Sequence, residues 1–437
     1  MSVLPPATIA IIGAGPIGLE AALYARFLGY DVRVYDRGRL AENVRRWGHV
    51  RLFSPFGMNA SPLGRAAIEA QDPQWPAPAD DAIMAGREFA EAYLLPLAAT
   101  DLLRDHLHER TEVISVGRSA SLKTELVGQA SRGDDEFHLL VRDADGRERL
   151  DTADIVIDAS GTYGNHGWLG QGGIPAVGER SAGERIAYEL PDVLGEDRQR
   201  YAGRRVLVVG GGYSAATSVI ALAALADDVP GTNVVWVTRP RIAEGETVTE
   251  TAAEPVPLIP SDRLIERDTL ARAANALAAD TTSVIEYRPN RWVRAITLDA
   301  TTERVDVQLT DGDEQSDTVT VDEIIANVGY RPDHGLSDEL QFHRCYAGDG
   351  PMKLAAAMLA ATTVQSPVDC LDQSSAGPEA LLTPEPDFYV LGAKSFGRSS
   401  RFLIAAGLEQ VRDLFTIIGD RADLDVYRAT ASRGGVT

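Results

Sequence analysis

Two strand–glycine turn–helix–strand units in one chain predict an α/β protein with two Rossmann-like dinucleotide-binding domains, one inserted in the other. Three observations carry this. Thr8 to Arg37 contains a G-x-G-x-x-G turn, and Gly203 to Arg239 contains a G-x-G-x-x-A turn. A third strand running into a glycine turn, Asp322 to Asp333, is placed to return the chain to the first domain.

In the first unit, Ile9-Ala10-Ile11-Ile12 is an apolar run suited to a buried parallel strand. Gly13-Ala14-Gly15-Pro16-Ile17-Gly18 follows, then a helix-forming stretch to Leu28, then Asp31 to Tyr35 as a second strand ending on Asp36 and Arg37. Gly13 permits the tight turn, Gly15 lets a pyrophosphate reach the backbone, and Gly18 brings the helix close to the sheet. The helix N-terminus supplies free N–H groups and a positive dipole end for that anion. Asp36 stands about 20 residues past the glycines, where an acid accepts hydrogen bonds from a ribose.

The chain has 437 residues, more than one core usually serves, so two domains are expected. Its 44% apolar and 24% charged content is that of a soluble globular protein. A net charge of −22 argues against nucleic acid or an anionic membrane as a partner. No apolar run is long enough to span a bilayer, and the first residues do not form a signal peptide, so a cytoplasmic location is expected. Basic residues are nearly all Arg; the lysines are Lys123, Lys353 and Lys394. The cysteines Cys345 and Cys370 form no C-x-x-C, and no cluster has zinc spacing, so no metal is expected.

Further along, Trp47, Arg51 and Ser54 are candidates to run beside a ring system, with packing in the core as the alternative for Trp47 and Phe53. Residues 72–80 read as a Pro-rich loop. A long helix is expected from Arg87 to His108, broken or kinked at Pro96. Strands follow at Glu112 to Val116, Phe137 to Arg142 and Asp154 to Asp158. The last enters Ala159-Ser160-Gly161, whose small residues allow close approach to a cofactor. The glycine-rich stretch 167–183 reads as a linker.

In the second unit, Arg204 to Val209 is a strand, Gly210-Gly211-Gly212-Tyr213-Ser214-Ala215 the turn, and Ala216 to Ala226 a helix. Val234 to Val237 is the next strand, ending in Thr238-Arg239. An arginine there, in place of an acid, suits a 2′-phosphate and favours NADPH over NADH. Residues 283–325 alternate as short strands and turns. Near the end lie a helix from Met352 to Thr362, a strand Asp387 to Leu391 entering Gly392-Ala393-Lys394, and a closing helix from Phe402 to Ile418. His49, His166 and His334 adjoin motifs and read as structural; the sequence assigns no catalytic residue.

The two fingerprints in this order resemble those of the two-dinucleotide-binding-domain flavoproteins, which include flavin-containing monooxygenases, N-hydroxylating monooxygenases and thioredoxin-reductase-like enzymes. The resemblance covers Thr8 to about Ile418. It rests on Gly13 to Gly18, on Tyr201 to Ala215, and on Ile325-Ala326-Asn327-Val328-Gly329-Tyr330-Arg331-Pro332. It implies an FAD-binding domain in two parts, 1–195 and 329–437 (with an irregular segment 334–386), and an NAD(P)H-binding domain at 196–328. It further implies bound FAD and NADPH, with hydride passing to flavin N5. Val113 would meet the adenine through its backbone, and Ser160, Gly161, Gly392 and Ala393 would lie near the flavin.

There are departures from the family. The closing Gly-Asp, whose Asp holds the ribityl chain, is here Gly392-Ala393. The redox C-x-x-C of thioredoxin reductases is absent, and so is the monooxygenase signature F-x-G-x-x-x-H-x-x-x-[YFW] around 160–180. The first expectation is a monooxygenase acting on a small molecule through a flavin C4a-hydroperoxide. The alternatives are an NADPH-dependent reductase of a small disulfide or quinone, and a flavin redox sensor or electron-transfer protein. Substrate and oligomeric state are not legible.

Overall fold

The computed structural model describes residues 3–240, 254–299, 301–312, 316–364 and 376–431. Contacts divide the chain into one unit of Met1–Asn165 with Arg331–Thr437 and a second of His166–Tyr330.

The first unit is built on five parallel strands. These are β1 (Thr8–Ile12), β2 (Asp31–Tyr35), β3 (Leu107–His108), β7 (Ile155–Asp158) and β16 (Phe388–Val390), in the order β16-β7-β1-β2-β3. Three antiparallel strands, β4 (Glu112–Arg118), β5 (Phe137–Arg142) and β6 (Glu148–Ala153), form a separate sheet. The alternation along β1 shows what lies on each face. Ile9 and Ile11 pack with Leu19 and Leu23 of helix Pro16–Phe27 and with Val411 and Leu414 of helix Ile404–Ile418. Ala10 and Ile12 point the other way, onto Val116, Phe137 and Leu139. A strand covered on both faces reads as a continuous apolar run, as this one does.

The second unit repeats that plan. Its parallel strands are β8 (Ile186–Ala187), β9 (Arg205–Val209), β10 (Asn233–Val237), β11 (Ile285–Arg288) and β15 (Glu323–Ala326), in the order β11-β10-β9-β15-β8. Leu207 and Val209 pack on the antiparallel sheet β12 (Trp292–Leu298), β13 (Val305–Thr310) and β14 (Ser316–Val321). Val206 and Val208 pack on helices Tyr213–Asp228 and Ile265–Ala279. The correspondence extends to a bulge near the start of the first antiparallel strand, between Val113 and Ser115 in β4 and between Val293 and Ala295 in β12.

Three features differ from the sequence expectation. The segment 166–195 belongs to the second unit: Ile186 and Ala187 pair with Ile324 and Ile325, and Gly170 and Val177 bridge β12. It is edge strand and support for that sheet rather than a linker. The long helix ends at Ala98 instead of His108, and Leu107–His108 is a strand. Pro96 does disturb it, with a π-helical turn Ala90–Leu94 just before. Pro96 cannot donate to the Ala92 carbonyl four residues back, and Trp75 Nε1 donates to that carbonyl instead, at 3.0 Å. Strand β6 is additional.

Candidate functional site

Both glycine turns sit where a central parallel strand ends beside a strand that itself ends in a small-residue turn. Gly13 has φ +105°, and a Cβ there would stand 2.6 Å from the Ala159 carbonyl oxygen. Gly210, its counterpart, has φ +144°, and a Cβ would stand 2.3 Å from the Asn327 carbonyl oxygen. Positive φ and a neighbouring backbone both demand glycine here. A Cβ on Gly18 would fall 1.8 Å from Gly13 O. The middle glycines differ. Gly15 and Gly212 immediately precede their helices, and a Cβ on either would meet nothing within 4 Å. The protein leaves that space open, as approach by a ligand pyrophosphate requires.

A cavity of about 740 Å³ opens at the first turn. Gly13, Asp36, Arg37, Val113, Ser160 and Gly161 line it, so residues expected from four separate stretches of sequence are brought together. The Asp36 carboxylate accepts from Ala14 N and from Gly38 N, both at 2.8 Å. Burial raises the Asp36 carboxyl above its ordinary range, and these two N–H groups draw it back. Each oxygen keeps a lone pair for a ribose hydroxyl.

The wall also holds Arg39, Arg46, Arg110 and Arg142, with Arg46 over the Tyr163 ring at 6.0 Å. Acids line the cavity beside them: Arg39 pairs with Glu42 at 2.8 Å, and Arg142 lies near Glu112 and pairs with Glu148 at 2.9 Å. None of the four arginines was singled out from the sequence. Their signal is tertiary, since they come from the connection after β2 and from β3–β5.

Trp47, Arg51 and Ser54 are not among the residues lining the cavity. Trp47 packs on the core against Gly86, where a Cβ would stand 2.5 Å from its ring. Arg51 is exposed and bridges Ala85; Ser54 is buried and donates to Asn59 Oδ1 at 2.8 Å. Gly392 N donates to Gln410 Oε1 at 2.9 Å, which ties that turn to helix Ile404–Ile418. Ala393 is half-buried beside it.

In the second unit, Gly212, Tyr213, Ser214 and Ala215 open helix Tyr213–Asp228, with Gly212 and Ser214 exposed and Ala215 buried. Thr238, at the end of β10, is buried and hydrogen-bonded to Tyr287 Oη at 2.9 Å. Arg239 is exposed, with its guanidinium 5.9 Å from the Trp292 ring centre. A hollow of about 660 Å³ in this unit lies at the N-terminal ends of β9–β11, the opposite end from the turn. The glycine turn, with its open helix N-terminus, remains the site suited to a dinucleotide.

His166 stacks on Tyr188 with ring centres 3.5 Å apart, and His334 is buried with Nε2 2.7 Å from the Asp349 carbonyl oxygen. Cys345 is a half-buried free thiol; Cys370, the other cysteine, lies outside the described residues. Among the described residues, no group of His, Cys, Asp and Glu could hold a metal ion, and no helix is long and apolar enough to cross a membrane.

No family model matches the sequence, and no curated protein matches it. Solved structures do. Bacillithiol disulfide reductase Bdr from Bacillus cereus is 16% identical with a TM-score of 0.65, covering 95% of this chain and 99% of that one. DfoA, a cadaverine monooxygenase of desferrioxamine biosynthesis from Erwinia amylovora, solved bound to FAD, is 14% identical with a TM-score of 0.63, covering 94% of each chain. Thioredoxin reductase from T. acidophilum is 17% identical with a TM-score of 0.55, covering 94% and 97%. The chain therefore has the fold of the two-dinucleotide-binding-domain flavoproteins, one that disulfide reductases and monooxygenases share.

Proposed function

We propose that this chain is an FAD-dependent, NADPH-using oxidoreductase, with FAD at the cavity of the first unit and NADPH at the glycine turn of the second. The observation that carries the reading is the doubled site: two turns of the same construction, each with its middle glycine open, in two units of the same plan. Bound FAD supplies a two-electron acceptor for hydride from the nicotinamide. The protein's part is binding and orientation. Asp36 would hold the adenosine ribose, Val113 the adenine edge, and the N-terminus of helix Pro16–Phe27 the diphosphate. Thr238 and Arg239 would receive the NADPH ribose and its 2′-phosphate.

For the acceptor, we favour O₂ with a small organic substrate, a monooxygenase reaction. NADPH, H⁺, O₂ and substrate then give NADP⁺, water and oxygenated product. The lack of a C-x-x-C in the sequence supports this, as does the absence of Cys345 from the cavity lining. The likeness to a bacillithiol disulfide reductase supports the second reading, reduction of a small disulfide. Flavin-loaded protein and NADPH, offered small disulfides, quinones and amines with and without O₂, separate the two. Product formation that requires O₂ supports the first. NADPH consumption that follows a disulfide without O₂, and is lost in Cys345→Ser, replaces it with the second.

A further inference from the structure

Behind the cavity wall lies a buried charge pair that the sequence pattern did not anticipate. Lys394 and Asp158 are each 1% exposed, and Lys394 Nζ stands 2.5 Å from Asp158 Oδ2. Lys394 directly follows Gly392-Ala393, where related flavoproteins are expected to carry an acid at the position of Ala393. Asp158 ends β7, the strand that leads into Ser160 and Gly161. The other carboxylate oxygen, Oδ1, lies 3.1 Å from Ser160 N and 2.6 Å from Ser160 Oγ. Lys394 Nζ also lies 3.0 Å from Ser160 Oγ.

The valences fix the direction of these bonds. An ammonium only donates and a carboxylate only accepts. Ser160 Oγ therefore gives its one proton to Asp158 and receives one from Lys394. A single lone pair remains, on a residue that lines the cavity. Burial makes the arrangement hard to rearrange, because turning the serine would leave part of a charged pair unsatisfied away from water.

We infer that Lys394 is a positioning residue: with Asp158 it holds Ser160 as an obligate hydrogen-bond acceptor at the cavity wall, reading a hydroxyl or N–H of the bound cofactor rather than a phosphate oxygen. The inference rests on the reading that this cavity takes FAD. It gives the chain another way to engage a polyhydroxylated cofactor where Ala393 offers no carboxylate. Asp158 acts through Ser160, and Lys394 balances the charge of its carboxylate at 2.5 Å.

The test is a coupling measurement on FAD affinity, with apoprotein titrated by FAD and followed by flavin fluorescence. Lys394→Met alone strands a buried carboxylate and is expected to fold poorly, so the partner background is Asp158→Asn/Lys394→Met, checked by circular dichroism and melting. Ser160→Ala in the native background should weaken FAD binding about five- to tenfold, the size of one hydrogen bond to a fixed acceptor. In the double-variant background, where no ammonium donates to the hydroxyl and no charged carboxylate holds its proton, the same change should cost about twofold or less. An equal penalty in both backgrounds, or none in the native one, overturns the positioning role while leaving the FAD reading intact. Failure of the unaltered apoprotein to take up FAD overturns the FAD reading and this inference with it.

Discussion

Arg132 Nε lies 3.0 Å from both carboxylate oxygens of Glu385, and neither side chain reaches solvent. Arg118 Nε approaches the same carboxylate at 2.7 Å, and Gln341 N donates to it at 2.7 Å. Loop 119–136 is thereby tied to the chain entering β16. Removing one member of a buried ionic set strands the others, at a cost of about 3–5 kcal/mol. Glu385→Gln is expected to lower unfolding stability by about that amount in a urea titration. A loss below about 1 kcal/mol would show that the arginines find other partners.

The glycines of the first turn should separate fold from ligand. Gly18→Ala places a Cβ 1.8 Å from Gly13 O, so the variant is expected to melt well below the native protein. Gly15→Ala meets no protein atom and should melt within a few degrees of native. It should nonetheless lose FAD affinity by about tenfold or more, ~1.4 kcal/mol, because the new methyl occupies the approach to the backbone. Calorimetry and FAD titration of both variants check the pair of expectations. Full FAD affinity in Gly15→Ala would remove the pyrophosphate from that position.

Glu20 gives a pH signature. It is buried in helix Pro16–Phe27, with the hydroxyls of Ser61 and Tyr427 near its carboxyl. Burial pushes that carboxyl from its ordinary 4.5 up to about 7. The folded form thus holds a proton that the unfolded form has released. The contribution to stability is fully present below pH 4.5 and falls as pH rises to about 7, by about 3 kcal/mol at ~1.4 kcal/mol per decade. Glu20→Gln should therefore gain stability over the native protein at pH 8 and lose that advantage at pH 4.5. A difference between the two proteins that does not vary with pH would contradict the shift.

Arg239→Ala should raise the Michaelis constant for NADPH about tenfold while changing that for NADH little, since a charge-assisted bond to a phosphate is worth ~1.5–3 kcal/mol. The guanidinium is exposed beside Trp292, so the fold should not suffer. Equal rises for both nucleotides would place the 2′-phosphate elsewhere.

The central strands were legible because burial on both faces makes them apolar throughout: Ile9 to Ile12 and Val206 to Val209 advertise themselves. Strand β6 was not, because its residues from Glu148 to Leu150 are exposed and its place is set by backbone pairing with β5. The helix expected beyond Ala98 followed a true apolar rhythm through Phe89, Tyr93 and Leu97, and rhythm alone does not say where a helix stops. Within the site, Asp36 and the glycines are local patterns. Arg110 and Tyr163 reach the cavity only through tertiary folding. Trp47 was ambiguous by nature, since a large ring fits a cofactor or a core equally well; in the fold it packs against Gly86 at the edge of the core.

The ends of the inserted unit meet: His166 bridges Tyr330, and Gly167 N donates to Gly329 O at 2.8 Å. On a ribosome this has a consequence for timing. The insert is complete once Tyr330 has emerged, but the first sheet still lacks β16. Between Asp158 and Phe388 lie 229 residues, a delay of roughly 10–50 s at about 5–20 residues per second. Throughout it, one edge of β7 has no partner. The unit that begins first is finished last, so the nascent chain carries an unpaired strand edge while its insert is already folded. Chaperone dependence during synthesis should therefore be greatest in the window between the emergence of Tyr330 and that of Val390.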